Sequence, residues 1–344
     1  MVAMVAACDP GVGREHERLG PSLHLVASSP ADGEGLECLP GGSADCGVVR
    51  SSPIELRFDR FLLPATAVRQ SITFYTGVED EYVWVEPHYD LIERVVRYAL
   101  GPGQALRPAV RYTVRIVRTD QNEPGYGFRA FDGSALAASG SAPLSFSFRT
   151  QDQSASPMPV EPPPSCSEVM AVFRRGGCSH CHQSERTPDC SPGDISAMGP
   201  TCSGTTGMDL DLSSAAAVRS TANSRVARQT DQEATSGIAL RNPERFGTAM
   251  PLIDPGRPEN SYLLYKLLAH RGSYGPAPCR NSTHRVDLGS HCVAATPEET
   301  QRLRDWFVRG DPMPPGPNSP LQANDLRAVQ HWIASGAGTN RCDQ

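Results

Sequence analysis

Two periodicities divide the chain. Between about Pro21 and Thr150, apolar and polar residues alternate in short runs: Ser22-Leu-His-Leu-Val-Ala27, Ile54-Glu-Leu-Arg-Phe58, Ile72-Thr-Phe-Tyr75, Tyr82-Val-Trp-Val85, Arg94-Val-Val-Arg-Tyr98, Tyr112-Thr-Val-Arg-Ile-Val117 and Ser145-Phe-Ser-Phe-Arg149. A period of two puts one face of each run on a core. Turns rich in Gly, Pro and Asp, such as Pro30-Ala-Asp-Gly33, separate them. About seven short strands divided in this way predict an antiparallel sandwich over 21–150. Residues 151–165, rich in Pro and Ser, read as an extended, semi-rigid linker.

From residue 166 the period becomes helical. Ser167 is the N-cap candidate for a helix running to Arg174, with Val169, Val172 and Phe173 on one face. Tyr262–Leu268 reads as a core helix. Pro297–Gly310 and Ala323–Gly336 echo each other as amphipathic helices ending at glycine. Leu303, Trp306 and Phe307 fall on one face, as do Val329, Trp332 and Ile333. The expectation is a multidomain chain, an all-β sandwich followed by a mainly α domain over 166–344.

Composition agrees with this division. A chain of 344 residues suits two cores better than one. The 31 Gly and 31 Pro exceed the usual share without reaching a disordered composition. No apolar run reaches the ~18 residues of a membrane span. A net charge of −6 argues against nucleic acid as a partner. The 11 cysteines point to an oxidising compartment, or to a bound metal or cofactor. The count is odd, so pairing alone cannot use them all.

One spacing carries chemistry. Cys178-Ser-His-Cys181-His182 is C-x-x-C-H, the pattern of covalent haem c attachment. Thiols about one helical turn apart reach the two vinyl groups of one porphyrin, and the histidine that follows supplies the proximal nitrogen to iron. A redox disulfide and half a zinc site are the other readings of the pair, with His180 and Cys190 near enough to join. The second close pair of a four-cysteine zinc ribbon is absent, since Cys190, Cys202, Cys279 and Cys292 are widely spaced.

The N-terminal phrase Val5-Ala-Ala-Cys8 resembles a bacterial lipobox, which makes Cys8 the lipidation site and residues 1–20 a signal remnant and tether. A positive n-region and a full apolar stretch are missing, as they would be if the start were internal and the signal cut short. The implied location is the periplasm or cell envelope, with the protein exported and held to a membrane through its lipid anchor alone.

Two family resemblances complete this reading. Ile54–Phe58, Leu106–Val114 and the closing Phe146-Ser-Phe-Arg-Thr150 resemble bacterial Ig-like domains. Residues 166–337 resemble monohaem cytochrome c domains of exported, often lipid-anchored bacterial proteins of the planctomycete and myxobacterial-like type. The phrases that carry the resemblance are Cys178–His182, Gly207-Met-Asp-Leu-Asp-Leu-Ser213, Ile253-Asp-Pro-Gly-Arg-Pro-Glu-Asn-Ser-Tyr-Leu-Leu264 and Met313-Pro-Pro-Gly316 with the helix after it. The resemblance implies one covalent haem c, Met313 as distal ligand and a final helix packing Trp332 over the porphyrin edge. It also implies one-electron exchange with a redox partner protein rather than catalysis. The long stretch from His182 to Met313 leaves Met250 as a rival ligand.

With Cys8 on lipid and Cys178 and Cys181 on haem, eight cysteines remain to pair. Cys38–Cys46, Cys190–Cys202 and Cys279–Cys292 would each staple their own loop. Cys166–Cys342 would join helices that pack together in the cytochrome c fold. Two other classes stay open. One is a haem enzyme or a gas or redox sensor with an open sixth site, for which His270, His284, His291 and His331 are candidate distal groups. The other is a structural surface lipoprotein with disulfides or zinc and no haem. Carbohydrate or partner binding at the loop tips is the functional alternative for the sandwich.

Overall fold

The alternating runs become strands because their apolar faces meet. The computed structural model describes residues 20–38, 43, 46–76, 81–118, 127–153, 162–183, 210–227, 250–270, 295–308, 313, 321–339 and 342, with only the backbone of His180, Cys181 and Trp306. Among these residues the strands are β1 Leu25–Ser29, β2 Ile54–Phe58, β3 Ile72–Thr76, β4 Glu86–Asp90, β5 Val95–Ala99, β6 Arg111–Ile116 and β7 Ser145–Arg149. They form two antiparallel sheets, ordered β1-β2-β5-β4 and β3-β6-β7, in a sandwich-like arrangement.

Aromatic rings fill the interior. Tyr112 lies opposite Phe148 in the β6–β7 register, with ring centroids 5.7 Å apart, and Phe74 reaches Tyr112 at 5.5 Å. Phe58 meets Phe128 at 4.7 Å. Such pairs add about 0.5–1.5 kcal/mol each beyond their area burial.

The strand expected at Tyr82–Val85 is only a short bridge, Tyr82 opposite Tyr75. The full strand follows at Glu86–Asp90, where polar residues and Pro87 hide it from a pattern search. Proline is tolerated there because β4 is an edge strand. β2 departs from simple alternation in another way. Its polar residues Glu55 and Arg57 are buried along with Ile54, Leu56 and Phe58. Glu55 accepts from Arg97 at 2.7 Å, and Arg57 donates to the Glu93 carbonyl at 3.1 Å.

The helices are α1 Cys166–Arg175, α2 Cys178–Cys181, α3 Ala215–Thr221, α4 Tyr262–Leu268, α5 Pro297–Trp306 and α6 Ala323–Ala334. α1 is capped by Ser165 rather than Ser167. The Ser165 hydroxyl accepts from the Glu168 amide at 3.3 Å, and the Glu168 carboxylate accepts from the Ser165 amide at 2.6 Å. That reciprocal box satisfies two otherwise orphaned donors and starts the helix two residues earlier. α1 packs on α6, and Val169, Phe173, Val329, Trp332 and Ile333 are buried. Phe307, just past α5, sits edge-on to Tyr262 and Tyr265 at 5.3 and 5.0 Å. Among the described residues no helix is long and apolar enough to cross a membrane.

The sandwich and the helices share one contiguous apolar core and a buried ionic junction. Arg60 donates from Nη2 to Asp132 at 2.7 Å and from Nε to Glu299 of α5 at 2.9 Å. All three side chains are buried. Asp132 also accepts from the amides of Gly20 and Ser134, both at 3.0 Å, and Glu299 accepts from the Phe61 amide at 3.0 Å. Burial alone would raise the Asp132 carboxyl, but the hydrogen bond and charge of Arg60 hold it below the usual aspartate value. For Glu299 burial wins, and its carboxyl lies above the usual value despite the same Arg60. Nearby, Glu93 binds both Arg57 and Arg327 of α6, the latter at 2.8 Å, and the Ile92 amide donates to Gln330 at 3.3 Å. The linker's near end belongs to the sandwich, where the Gln151 amide donates to the Val48 carbonyl.

Candidate functional site

The haem-motif residues follow directly from the end of α1. Gly176 closes that helix, and Gly177, at φ +70°, turns the chain in the left-handed region that favours glycine. A side chain at Gly176 would come within 2.9 Å of Leu321 and 3.3 Å of the Cys178 sulfur, so the turn needs its smallness. α2 is then a single turn. The His182 amide closes it on the Cys178 carbonyl at 2.8 Å, which puts Cys178 and His182 one turn apart.

His182 is pinned from its other side, its carbonyl accepting from the Leu212 amide at 2.8 Å. Leu212 belongs to the phrase that ends at Ser213, where buried Asp211 accepts from the Ser213 amide at 2.8 Å and Ser214 caps α3. The His182 side chain is buried, and its Nδ1 has no hydrogen-bond partner among the described residues. Burial, and then the charge of Lys266, push its pKa below the usual histidine value. The ring is therefore held uncharged, the form with a lone pair to donate.

Lys266, the chain's only lysine, is buried on α4 and bears on both ends of the candidate ligand set. Its charge acts on His182, and its carbonyl accepts from the Met313 amide at 3.1 Å. Met313 is partly buried against the core. Met250 is buried more deeply, in a stretch whose carbonyl accepts from the Ala227 amide at 2.9 Å and whose next residue, Pro251, accepts from the Tyr262 amide at 2.9 Å. Both methionines thus border α4. Trp332 is buried on α6, and its indole nitrogen donates to the Gly338 carbonyl at 3.0 Å. The phrase from Ile253 to Leu264 builds a turn in which Asp254 accepts from Asn260 at 2.5 Å. Gly256, at φ +88°, donates to the Ile333 carbonyl at 2.8 Å and so ties the turn to α6.

The structure brings Cys38 to Cys46 and Cys166 to Cys342 as disulfides, with Cα separations of 5.7 and 4.9 Å. Cys8, Cys190, Cys202, Cys279 and Cys292 lie outside the described residues, as do His284 and His291. Among the candidate distal histidines, His270 is buried and His331 lies half-buried on α6. Among the described residues no three His, Cys, Asp or Glu gather as metal ligands. Lys266 belongs to none of the sequence motifs. A lone lysine inside an otherwise apolar helix was the signal available for its burial.

The residues present fit a haem on one count of their own. A buried imidazole nitrogen without a partner costs about 1–3 kcal/mol, and among the described residues the His182 Nδ1 has none, a state that an ion or an ordered water relieves.

No family model matches the sequence, and no curated protein matches it. Among solved structures, the N-terminal part of the bacterial S-layer protein SbsC is similar at 14% identity and a TM-score of 0.24, covering 42% of this chain and 26% of that one. A fragment of SbsC comprising its domains 1–6 is similar at 12% identity and a TM-score of 0.22, covering 42% of this chain and 15% of that one. The match thus spans about a quarter or less of those chains, and a likeness this slight says nothing of function.

Proposed function

We propose that this protein is an exported electron carrier with one covalently attached haem c. Cys178 and Cys181 would form the thioether links, His182 would be the proximal ligand and Met313 the distal one, with Trp332 packing in the core beside them. The observation that carries the reading is His182, buried one turn after Cys178, with a ring nitrogen that no group among the described residues engages. When bound, haem supplies one-electron exchange between ferric and ferrous iron. The chain's own contribution is to hold the imidazole uncharged, to seat the Met313 loop on α4 and to exclude water with α1, α4 and α6. An Ig-like identity for the sandwich and a cytochrome c-like identity for the helices belong to the same proposal. So do a lipid anchor on Cys8, a cell-envelope location and a redox partner protein. The two disulfides favour an oxidising compartment.

Co-expression with the c-type haem maturation machinery tests the reading. The expected result is a haem-stained band on a denaturing gel and a mass gain of one haem, both lost in Cys178→Ala/Cys181→Ala. Absence of the band from the wild-type protein overturns it. Met313→Leu then distinguishes the distal ligand. It is expected to let carbon monoxide bind rapidly, whereas the same change in Met250→Leu alone would transfer the role to Met250.

A further inference from the structure

The rim of the sandwich holds a second constellation, remote in sequence from the haem motif. Residues 81–84 run beside β3, with the Thr76 amide donating to the Glu81 carbonyl at 3.1 Å and the Val83 amide to the Phe74 carbonyl at 2.8 Å. Alternation then sends Val85 into the core and leaves Tyr82 and Trp84 outside, 67% and 62% exposed. They are the most exposed large hydrophobic side chains among the described residues. Trp84 is not loose, since the Arg69 guanidinium stacks 4.3 Å from its ring centroid.

Both residues line an open cleft of about 350 Å³, bordered on its other side by Leu100 and residues 104–107. The rest of the lining mixes apolar side chains, Leu100 and Leu106 among them, with the polar Thr76, Glu81, Gln104 and Arg107. The Glu81 carboxylate accepts from Arg107 at 2.9 Å and from the Thr76 hydroxyl at 3.0 Å, which fixes both charges and cancels them. The Gln104 side-chain amide also lines the cleft and makes no hydrogen bond among the described residues.

We propose that this cleft binds a carbohydrate chain of β-linked pyranose rings. A pyranose has an apolar C–H face and a rim of hydroxyls. It therefore needs a flat aromatic face with fixed donors and acceptors at the edge, and Tyr82 and Trp84 with Gln104, Glu81 and Arg107 supply that combination. The volume suits a small number of sugar rings. The internal Glu81–Arg107 pairing favours an uncharged sugar over a phosphate or a carboxylate. An aromatic pair that only served the fold would face the core, as Tyr98 and Tyr112 do. The inference is independent of haem attachment. In an envelope protein it would make the sandwich an attachment module.

Two arms separate the sources of such a chain. The full-length protein is run on native gels containing hydroxyethyl cellulose, a neutral β-glucan, and is co-sedimented with purified peptidoglycan sacculi. Retardation or co-sedimentation in at least one arm is expected. Trp84→Ala should weaken it at least tenfold and Gln104→Ala about threefold, with unchanged thermal unfolding because both side chains are exposed. Tyr82→Ala is the second aromatic variant. Wild-type behaviour in both arms like that of a non-binding control overturns the proposal, as does binding that survives Trp84→Ala and Tyr82→Ala. A protein partner pairing with this edge in the absence of sugar binding also overturns it.

Discussion

In the sandwich, a buried charge is fully engaged. Asp132 receives hydrogen bonds from Arg60, Ser134 and Gly20, and its carboxyl is held below the usual value. In the helical region, His182 is also buried, yet its Nδ1 meets no donor or acceptor among the described residues. Both regions hide polar groups in apolar surroundings, and burying such a group unpaired costs free energy. Asp132 resolves the cost with the Arg60 guanidinium and two backbone amides. His182 keeps a ring nitrogen unpaired among the described residues, one turn after Cys178. Under the proposed function, the contrast separates a buried group satisfied by the fold from one that a bound haem would involve.

The junction between the regions offers the largest test of that contrast. Arg60→Met leaves Asp132 and Glu299 buried without their shared cation and is expected to destabilise by about 3–5 kcal/mol. Chemical denaturation of the full chain would read it. If the two regions are energetically joined, both melt earlier. A loss confined to the sandwich would break the link between them.

A comparable loss is expected within the helical region from Trp332→Ala, about 3–5 kcal/mol for removing a large buried side chain. Haem content per protein should fall with it, whereas Cys38→Ser/Cys46→Ser in the sandwich should leave haem content unchanged. An equal haem loss in both variants would erase the distinction between scaffold and site.

Glu299→Gln should cost less than Arg60→Met, about 1–3 kcal/mol, because Arg60 keeps Asp132. It also sharpens the comparison through pH. Asp132 has a lowered native pKa, so its contribution is present above the usual aspartate value and is lost as pH falls through the native one. Glu299 has a raised native pKa, so its contribution is present below the usual glutamate value and is lost as pH rises through the native one. Unfolding measured from acid to neutral pH should show both slopes in the wild type and only the acid loss in Glu299→Gln.

The smallest effect is expected at the surface. Arg175 pairs with Asp325 at 2.6 Å but is largely exposed, so Arg175→Ala should change stability by no more than about 0.5 kcal/mol. A larger change would mean that α1 and α6 depend on this pair rather than on their apolar contact.

Much of the fold was legible because its signals are local. Six of the alternating runs overlap β1, β2, β3, β5, β6 and β7, since alternation writes the buried face into neighbouring residues. β4 was not legible, because its inward face is only Pro87 and Tyr89, and proline is a poor strand signal. The helical runs at 167–174, 262–268, 297–310 and 323–336 correspond to α1, α4, α5 and α6. The start of α1 was misplaced because Ser165 and Ser167 are equally good caps by type. Only Ser165 stands three residues before Glu168, and that reciprocal pair decides the start.

The sequence by itself determined the C-x-x-C-H spacing with its histidine and the two periodicities, because each depends on residues within a few positions of one another. Only the tertiary structure decided that Arg60 meets Glu299 across 239 positions, that the charge of buried Lys266 acts on His182, and that Tyr82 and Trp84 are exposed at the edge of a cleft. Alternation or helical period tells which residues share a face. It does not tell what that face meets, because long-range partners are chosen by how elements pack, and packing is a property of the whole chain.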